Sequence, residues 1–155
     1  MEELNEFEKR KRARRYLCQI QKYCDEIKLR EEALRELNST LAYKAKGVAA
    51  GGVQTSVNID GLARDVVKYL MDEDEYHECI VRLKELKEQI IKEIYSLPEP
   101  LHCKILAIKY IKVVDNFWTA AEMMDYSYSN VRRLHRKALV SFYDHVLRDK
   151  EIEKL

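Results

Sequence analysis

From Leu62 onward an apolar side chain returns at every seventh position: Leu62, Tyr69, Tyr76, Leu83, Ile90 and Leu97. Val66, Ile80, Leu86 and Ile94 fill intervening core positions. The spacing predicts one long helix with a coiled-coil-type seam, about 54 Å long if unbroken at roughly 1.5 Å per residue. The acidic run Asp72-Glu73-Asp74-Glu75 falls largely on its outer faces. A matching seam precedes it over 16–43, made of Leu17, Ile20, Cys24, Ile27, Leu34, Leu37 and Leu41 and interrupted by Glu31 and Asn38. Between the seams lies KAKGVAAGGVQTSVNIDG, about 44–61, rich in glycine and small residues and long for an ordered loop. Two long helices joined this way fold back as an antiparallel hairpin, expected over residues 1–97.

Pro98 and Pro100 end the second seam, as prolines do shortly after a helix stops, and set the expected start of a second domain at 98–155. A scaffold helix is predicted from about Leu101 through Ile105, Leu106, Ile108 and Tyr110 to Ile111, with Val113-Val114-Asp115 as a link. NFWTAAEMMDYSYSNVRRLHRKAL follows. Asn116 is a suitable N-cap, and Phe117, Ala120, Ala121 and Met124 recur at helical spacing. Asp125-Tyr126 interrupts the pattern, because Asp tolerates left-handed backbone. Ser127 is a second N-cap, and Val131, Leu134, Ala138 and Phe142 form the next buried stripe. The fold class is therefore all-α: a long helical hairpin followed by a small helix-turn-helix domain.

The face opposite that stripe carries Ser129, Asn130, Arg132, Arg133, Arg136 and Lys137. A recognition helix needs this division, with one side anchored to a core and the other free for base edges and phosphates in the major groove. Arg suits guanine, Asn suits adenine and Lys suits phosphate. A charged stripe is also what the solvated side of any amphipathic helix looks like. Two features favour the first reading: the paired capped helices, and the absence of any acid from Val131 to Tyr143. Charge is also segregated along the chain. Residues 61–100 hold 6 cations and 10 anions, whereas residues 101–150 hold 9 cations and 5 anions. A basic module beside an acidic one fits a DNA-binding domain carried on a partner-binding or oligomerisation element.

The run Lys9, Arg10, Lys11, Arg12, Arg14, Arg15 opens the hairpin. Antiparallel pairing returns it to the vicinity of Leu97 and the basic module. There it would extend a phosphate footprint or form a solvated helix start, since phosphate contacts need cations in reach and no fixed geometry.

LP-x-P, an apolar helix ending in Lys-Tyr, and YS-x-x-x-V-x-RLH-x-KAL after the turn resemble the DNA-binding region 4 of bacterial sigma-70-type factors. With the hairpin ahead of it, the chain is similar to the phage and prophage late-operon transcriptional regulators of Gram-positive bacteria, the autolysin-regulatory type. The resemblance covers roughly residues 16–146. It implies that Ser127 starts the recognition helix, that Val131, Leu134 and Ala138 anchor it, and that Tyr128, Ser129, Asn130, Arg132, Arg133, Arg136 and Lys137 are left for double-stranded DNA. It further implies host RNA polymerase as a partner and a bacterial cytoplasm as the setting. Where such modules carry two acids, Ile and Ala in the first helix and a Gly in the turn, this chain has Trp118, Thr119, Ala120, Ala121 and Asp125.

No apolar run approaches the roughly 20 residues that span a bilayer, and the charged N-terminus is unlike a signal peptide. A cytosolic protein without membrane contact is expected. Cys18, Cys24, Cys79 and Cys103 show neither C-x-x-C pairing nor zinc-knuckle spacing and read as reduced thiols. His77, His102, His135 and His145 are scattered, and no phosphate loop is present, so no enzyme, metal or cofactor is expected. His145 beside Asp144 reads as a surface pair, and His135 as a packing residue or a phosphate contact. Two functional classes stay open: a DNA-reading regulator, for which a homodimer on a pseudo-palindromic site is a candidate form, and a helical, anti-sigma-like adaptor that reads no DNA. Tyr69, Tyr76 and Tyr95 favour the second if exposed.

Overall fold

A computed structural model describes the backbone of residues 3–50 and 56–152 and the side chains of residues 3–46, 61 and 63–151. Among these residues every regular element is helical and no strand occurs, as the low Gly and Pro content implies. Helix α1 spans Glu6–Leu17. Asn5 caps it, its side chain accepting from the Glu8 N–H at 2.9 Å, while Glu6 and Glu8 in the first turn and Arg14 and Arg15 in the last suit the helix dipole. The basic run is thus helical, ahead of the point where the apolar seam begins. A break at Cys18 leads into α2 (Gln19–Ala50), and α3 follows over Ser56–Tyr95.

The stretch expected as a loop at about 44–61 is therefore helical at both ends, and residues 51–55 lie outside the described residues. Glycine costs a helix roughly 1 kcal/mol relative to alanine. Gly47 nonetheless sits among Ala45, Ala49 and Ala50, the best helix formers, and the helix runs through it.

Packing divides the chain into two compact units, Cys24–Glu85 and Met1–Tyr23 with Leu86–Leu155. This differs from a boundary at residues 97/98. The prolines end a helix, but α1 and the last turns of α3 pack with the C-terminal helices.

In the unit Cys24–Glu85, Glu31 pairs with Lys84 at 3.8 Å and Lys44 with Asp65 at 2.9 Å. Partner numbers descend as the first helix ascends, which is an antiparallel hairpin. Ile27, Ile80 and Leu83 are buried in its seam, and Leu34, Leu37, Leu41, Val66, Tyr69 and Tyr76 are half-buried. Leu62 falls outside the described side chains. Leu29, Val67, Leu70, Met71 and Val81 are exposed.

The other unit holds the larger core. Leu17, Ile20, Ile94, Ile105, Leu106, Val131, Leu139 and Phe142 are almost fully buried there. The Tyr16 ring lies 5.9 Å from that of Phe142. Ile90, Ile94 and Leu97 are buried here, whereas Leu86 is exposed. Helix α4 (Pro100–Leu106) starts with proline in its first turn, where no N–H is required, and continues as a wider π-type turn at Ala107–Ile111. Helices α5 (Phe117–Met124), α6 (Tyr128–Phe142) and α7 (Arg148–Ile152) complete it, with a second π-type turn at Tyr143–Leu147.

Polar contacts tie α1 to the C-terminal part of this unit. Lys9 Nζ lies 2.9 Å from Asp144 Oδ1, and Arg12 donates to Glu151 Oε2 at 2.8 Å. Tyr143 O–H donates to the same Glu151 oxygen at 2.6 Å. Tyr16 O–H donates to Glu93 Oε2 at 2.8 Å, and Lys150 donates both to Tyr16 Oη, at 2.8 Å, and to Glu93. Asp144 therefore takes Lys9 as its ion-pair partner, and not His145, whose Nδ1 lies 2.8 Å from the Ser141 carbonyl oxygen. All four cysteines are free thiols. Cys103 is buried, donates to the Leu97 carbonyl at 3.5 Å and has its pKa raised by that burial.

Candidate nucleic-acid interface

Local chemistry builds the helix-turn-helix. Asn116, in extended geometry, accepts the Thr119 N–H at 2.8 Å and starts α5. Asp125 ends it in the left-handed region at φ 57° and ψ 44°, and its N–H returns to the last turn of the helix. Two residues later Ser127 accepts the Asn130 N–H at 3.3 Å and starts α6. Both caps and the turn fall at the positions their residue types predict.

Val131, His135, Ala138, Leu139 and Phe142 bury the inner face of α6. Leu134, expected in that stripe, is only half-buried, and His135 takes the inner position. His135 Nε2 lies 3.0 Å from Tyr110 Oη, and the two rings stack at 5.8 Å. Burial, reinforced by the nearby cations Arg14, Lys109 and Arg136, lowers the His135 pKa to about 3. Burial likewise pushes Tyr110 up to about 12. Both groups are neutral at ordinary pH, and of the two expected roles the structure gives His135 packing.

The outer face keeps Ser129, Asn130, Arg132, Arg133, Arg136 and Lys137 exposed together. Arg133 Nη2 donates to Asn130 Oδ1 at 2.6 Å, which holds the guanidinium along the helix. Leu101 and Tyr126 line a shallow depression beside Asn130, Arg133 and Lys137. Tyr128 stands apart from the polar row. It is half-buried, stacks on Trp118 with centroids 4.3 Å apart, and meets Phe117 edge-on at 6.4 Å. Arg132 lies over its ring at 5.7 Å. Sequence reasoning missed this aromatic cluster, although Phe117, Trp118 and Tyr128 in adjacent first turns were its signal.

Lys109 secures the link ahead of α5. Its ammonium donates to the Val114 and Asp115 carbonyls at 2.7 and 3.1 Å and sits 4.5 Å from the Phe117 ring centroid, and burial lowers its pKa. Val113 in this link adopts φ 55°, a conformation that strains a β-branched residue.

Of the N-terminal cations, Lys9 and Arg12 are engaged in the ion pairs with Asp144 and Glu151, and Arg10 Nε donates to the Glu6 carbonyl at 3.2 Å. Lys11, Arg14 and Arg15 are exposed on α1, which packs on α6. The run thus lies beside the basic helix, with part of its charge committed to holding α1 in place. Among the described residues no group of His, Cys, Asp and Glu is placed to hold a metal ion. No described helix is long and apolar enough to cross a membrane. Comparison with protein families, curated proteins and solved structures finds no match to this chain.

Proposed function

We propose that this chain is a sequence-specific, double-stranded-DNA-binding regulator of transcription, an activator working with RNA polymerase in the cytoplasm of a bacterial host. The observation that carries the reading is the exposed row Ser129, Asn130, Arg132, Arg133, Arg136 and Lys137 on the outer face of a helix held by a capped helix-turn-helix. The row mixes side chains that can read base edges with cations that can take phosphates. The resemblance of residues 126–139 to sigma-type region 4 supports the same reading. In this proposal the protein is not an enzyme: binding to promoter DNA and contact with polymerase suffice for recruitment, and a homodimer would place two recognition helices on one site.

The test is selection of bound fragments from random duplex DNA, followed by affinity for the enriched motif at several salt concentrations. A defined motif whose binding weakens steeply with salt is the expected result. Arg132→Ala or Arg133→Ala should then cost roughly 1–3 kcal/mol and relax specificity at one position where the side chain reads a base pair. A loss uniform across sequences would mark that residue as a phosphate contact.

A second reading, a helical adaptor that reads no DNA, draws on the outer face of α3, where Val67, Leu70 and Met71 are exposed beside Asp74 and Glu75, and on exposed Tyr95. Failure to retain any duplex at low salt would favour it over the regulator.

A further inference from the structure

Trp118 is the only tryptophan of the chain and is 65% exposed. The rest of α5 behaves as an anchored helix, burying Ala120, Ala121 and Met124. The indole stacks on Tyr128 with rings 25° from parallel, and Tyr128 in turn meets Phe117 edge-on. The first turns of α5 and α6 thus share a stacked aromatic pair, with the Arg132 guanidinium over the Tyr128 ring. A lone exposed aromatic is ordinary on a protein surface, whereas apolar surface that is clustered and rimmed by polar residues marks a contact site.

We infer that Trp118 is itself a DNA-contact residue, the plate of Trp118 and Tyr128 making an apolar contact at the flank of α6. This rests on the duplex-reading proposal above. Its place beside the polar row decides the ligand. A duplex groove and its margin are polar or charged except at the thymine C5-methyl and the deoxyribose face. Both are flat or convex apolar groups that an indole can cover while Arg132 meets the adjoining phosphate. Asn, Arg and Lys on the outer face offer chiefly polar ends, so a flat indole adds recognition of a different kind.

The experiment uses the full chain and a fluorescein-labelled duplex carrying the selected motif, or a random-sequence duplex if none is enriched. Anisotropy of the label reports binding, and emission of the single tryptophan reports whether Trp118 is covered. Binding should change that emission and shield it from acrylamide. Trp118→Ala should weaken binding about tenfold, the scale for losing roughly 60 Å² of apolar contact, and Trp118→Phe should keep most of the affinity. Replacing thymines one at a time by deoxyuridine removes only the methyl. A comparable loss at one position assigns the contact to that methyl, and no loss while Trp118→Ala still weakens binding assigns it to deoxyribose. A full anisotropy change with Trp118 still open to acrylamide, and with Trp118→Ala binding as well as the parent, overturns the inference and leaves the DNA reading standing. No anisotropy change with any duplex overturns both.

Discussion

His135 places an ionisable ring where the helix period, and not residue polarity, decides burial. At roughly 100° per residue, position 135 lies about 40° from the direction of Val131 and position 134 about 60° away. The inner stripe therefore runs Val131, His135, Ala138, Phe142, and Leu134 slips toward the edge. Residue polarity favours Leu134 for the inner position, whereas helical spacing favours His135, and spacing prevails. Protonation is where this position acts on stability. The folded pKa, about 3, lies below the ordinary histidine value near 6.5. Its contribution is then fully present above the unfolded pKa and is lost as pH falls from about 6.5 toward 3, because the unfolded chain binds the proton first. Between about pH 7 and about pH 5 the parent should lose on the order of 2 kcal/mol through this group. His135→Gln, which cannot titrate yet can still meet Tyr110, should flatten that part of the curve in urea unfolding. Equal acid sensitivity in the two proteins would reject the assignment.

At the scale of elements, legibility followed how local the signal was. The start and end of α5 and the first turn of α6 are legible because Asn116, Asp125 and Ser127 act on backbone groups within four positions of themselves. Replacing Ser127 by Ala should cost about 1 kcal/mol, seen as a lower thermal midpoint with α6 otherwise intact; an unchanged midpoint would mean the cap contributes nothing. Helix α1 was not readable in the same way. It buries only Ala13 and Leu17 and so shows no apolar seam, and its helicity rests on the Asn5 cap and on Lys, Arg and Glu, which favour helix without patterning. The ends of α2 and α3 differ from the expected loop for the converse reason. Glycines give residues 44–61 the composition of a loop, while Ala45, Ala49 and Ala50 carry the helix on to residue 50. The Trp118–Tyr128 plate joins two elements through aromatic stacking, which no periodicity within either helix records.

Across the whole molecule, the unit bearing the candidate interface is assembled from both sides of the hairpin segment: Met1–Tyr23 packs with Leu86–Leu155. Prolines could mark where α3 ends, but the ion pairs Lys9–Asp144 and Arg12–Glu151 and the Tyr16–Glu93–Lys150 cluster join residues that no sequence pattern links. Leu17 is fully buried where α1 meets this core. Leu17→Ala should cost about 2–5 kcal/mol, and the loss should appear in the unfolding of α4–α6 as well as α1. Unfolding of α1 alone, with α6 keeping its midpoint, would show that the unit does not fold as one. The arrangement also fixes an order of events on the ribosome. Leu17 and Ile20 emerge early in synthesis, and the α6 surface that α1 packs against is translated only after the hairpin has been made. Throughout that interval Leu17 and Ile20 lack the C-terminal surface that buries them in the folded unit, so this core closes only when both ends of the chain have been made.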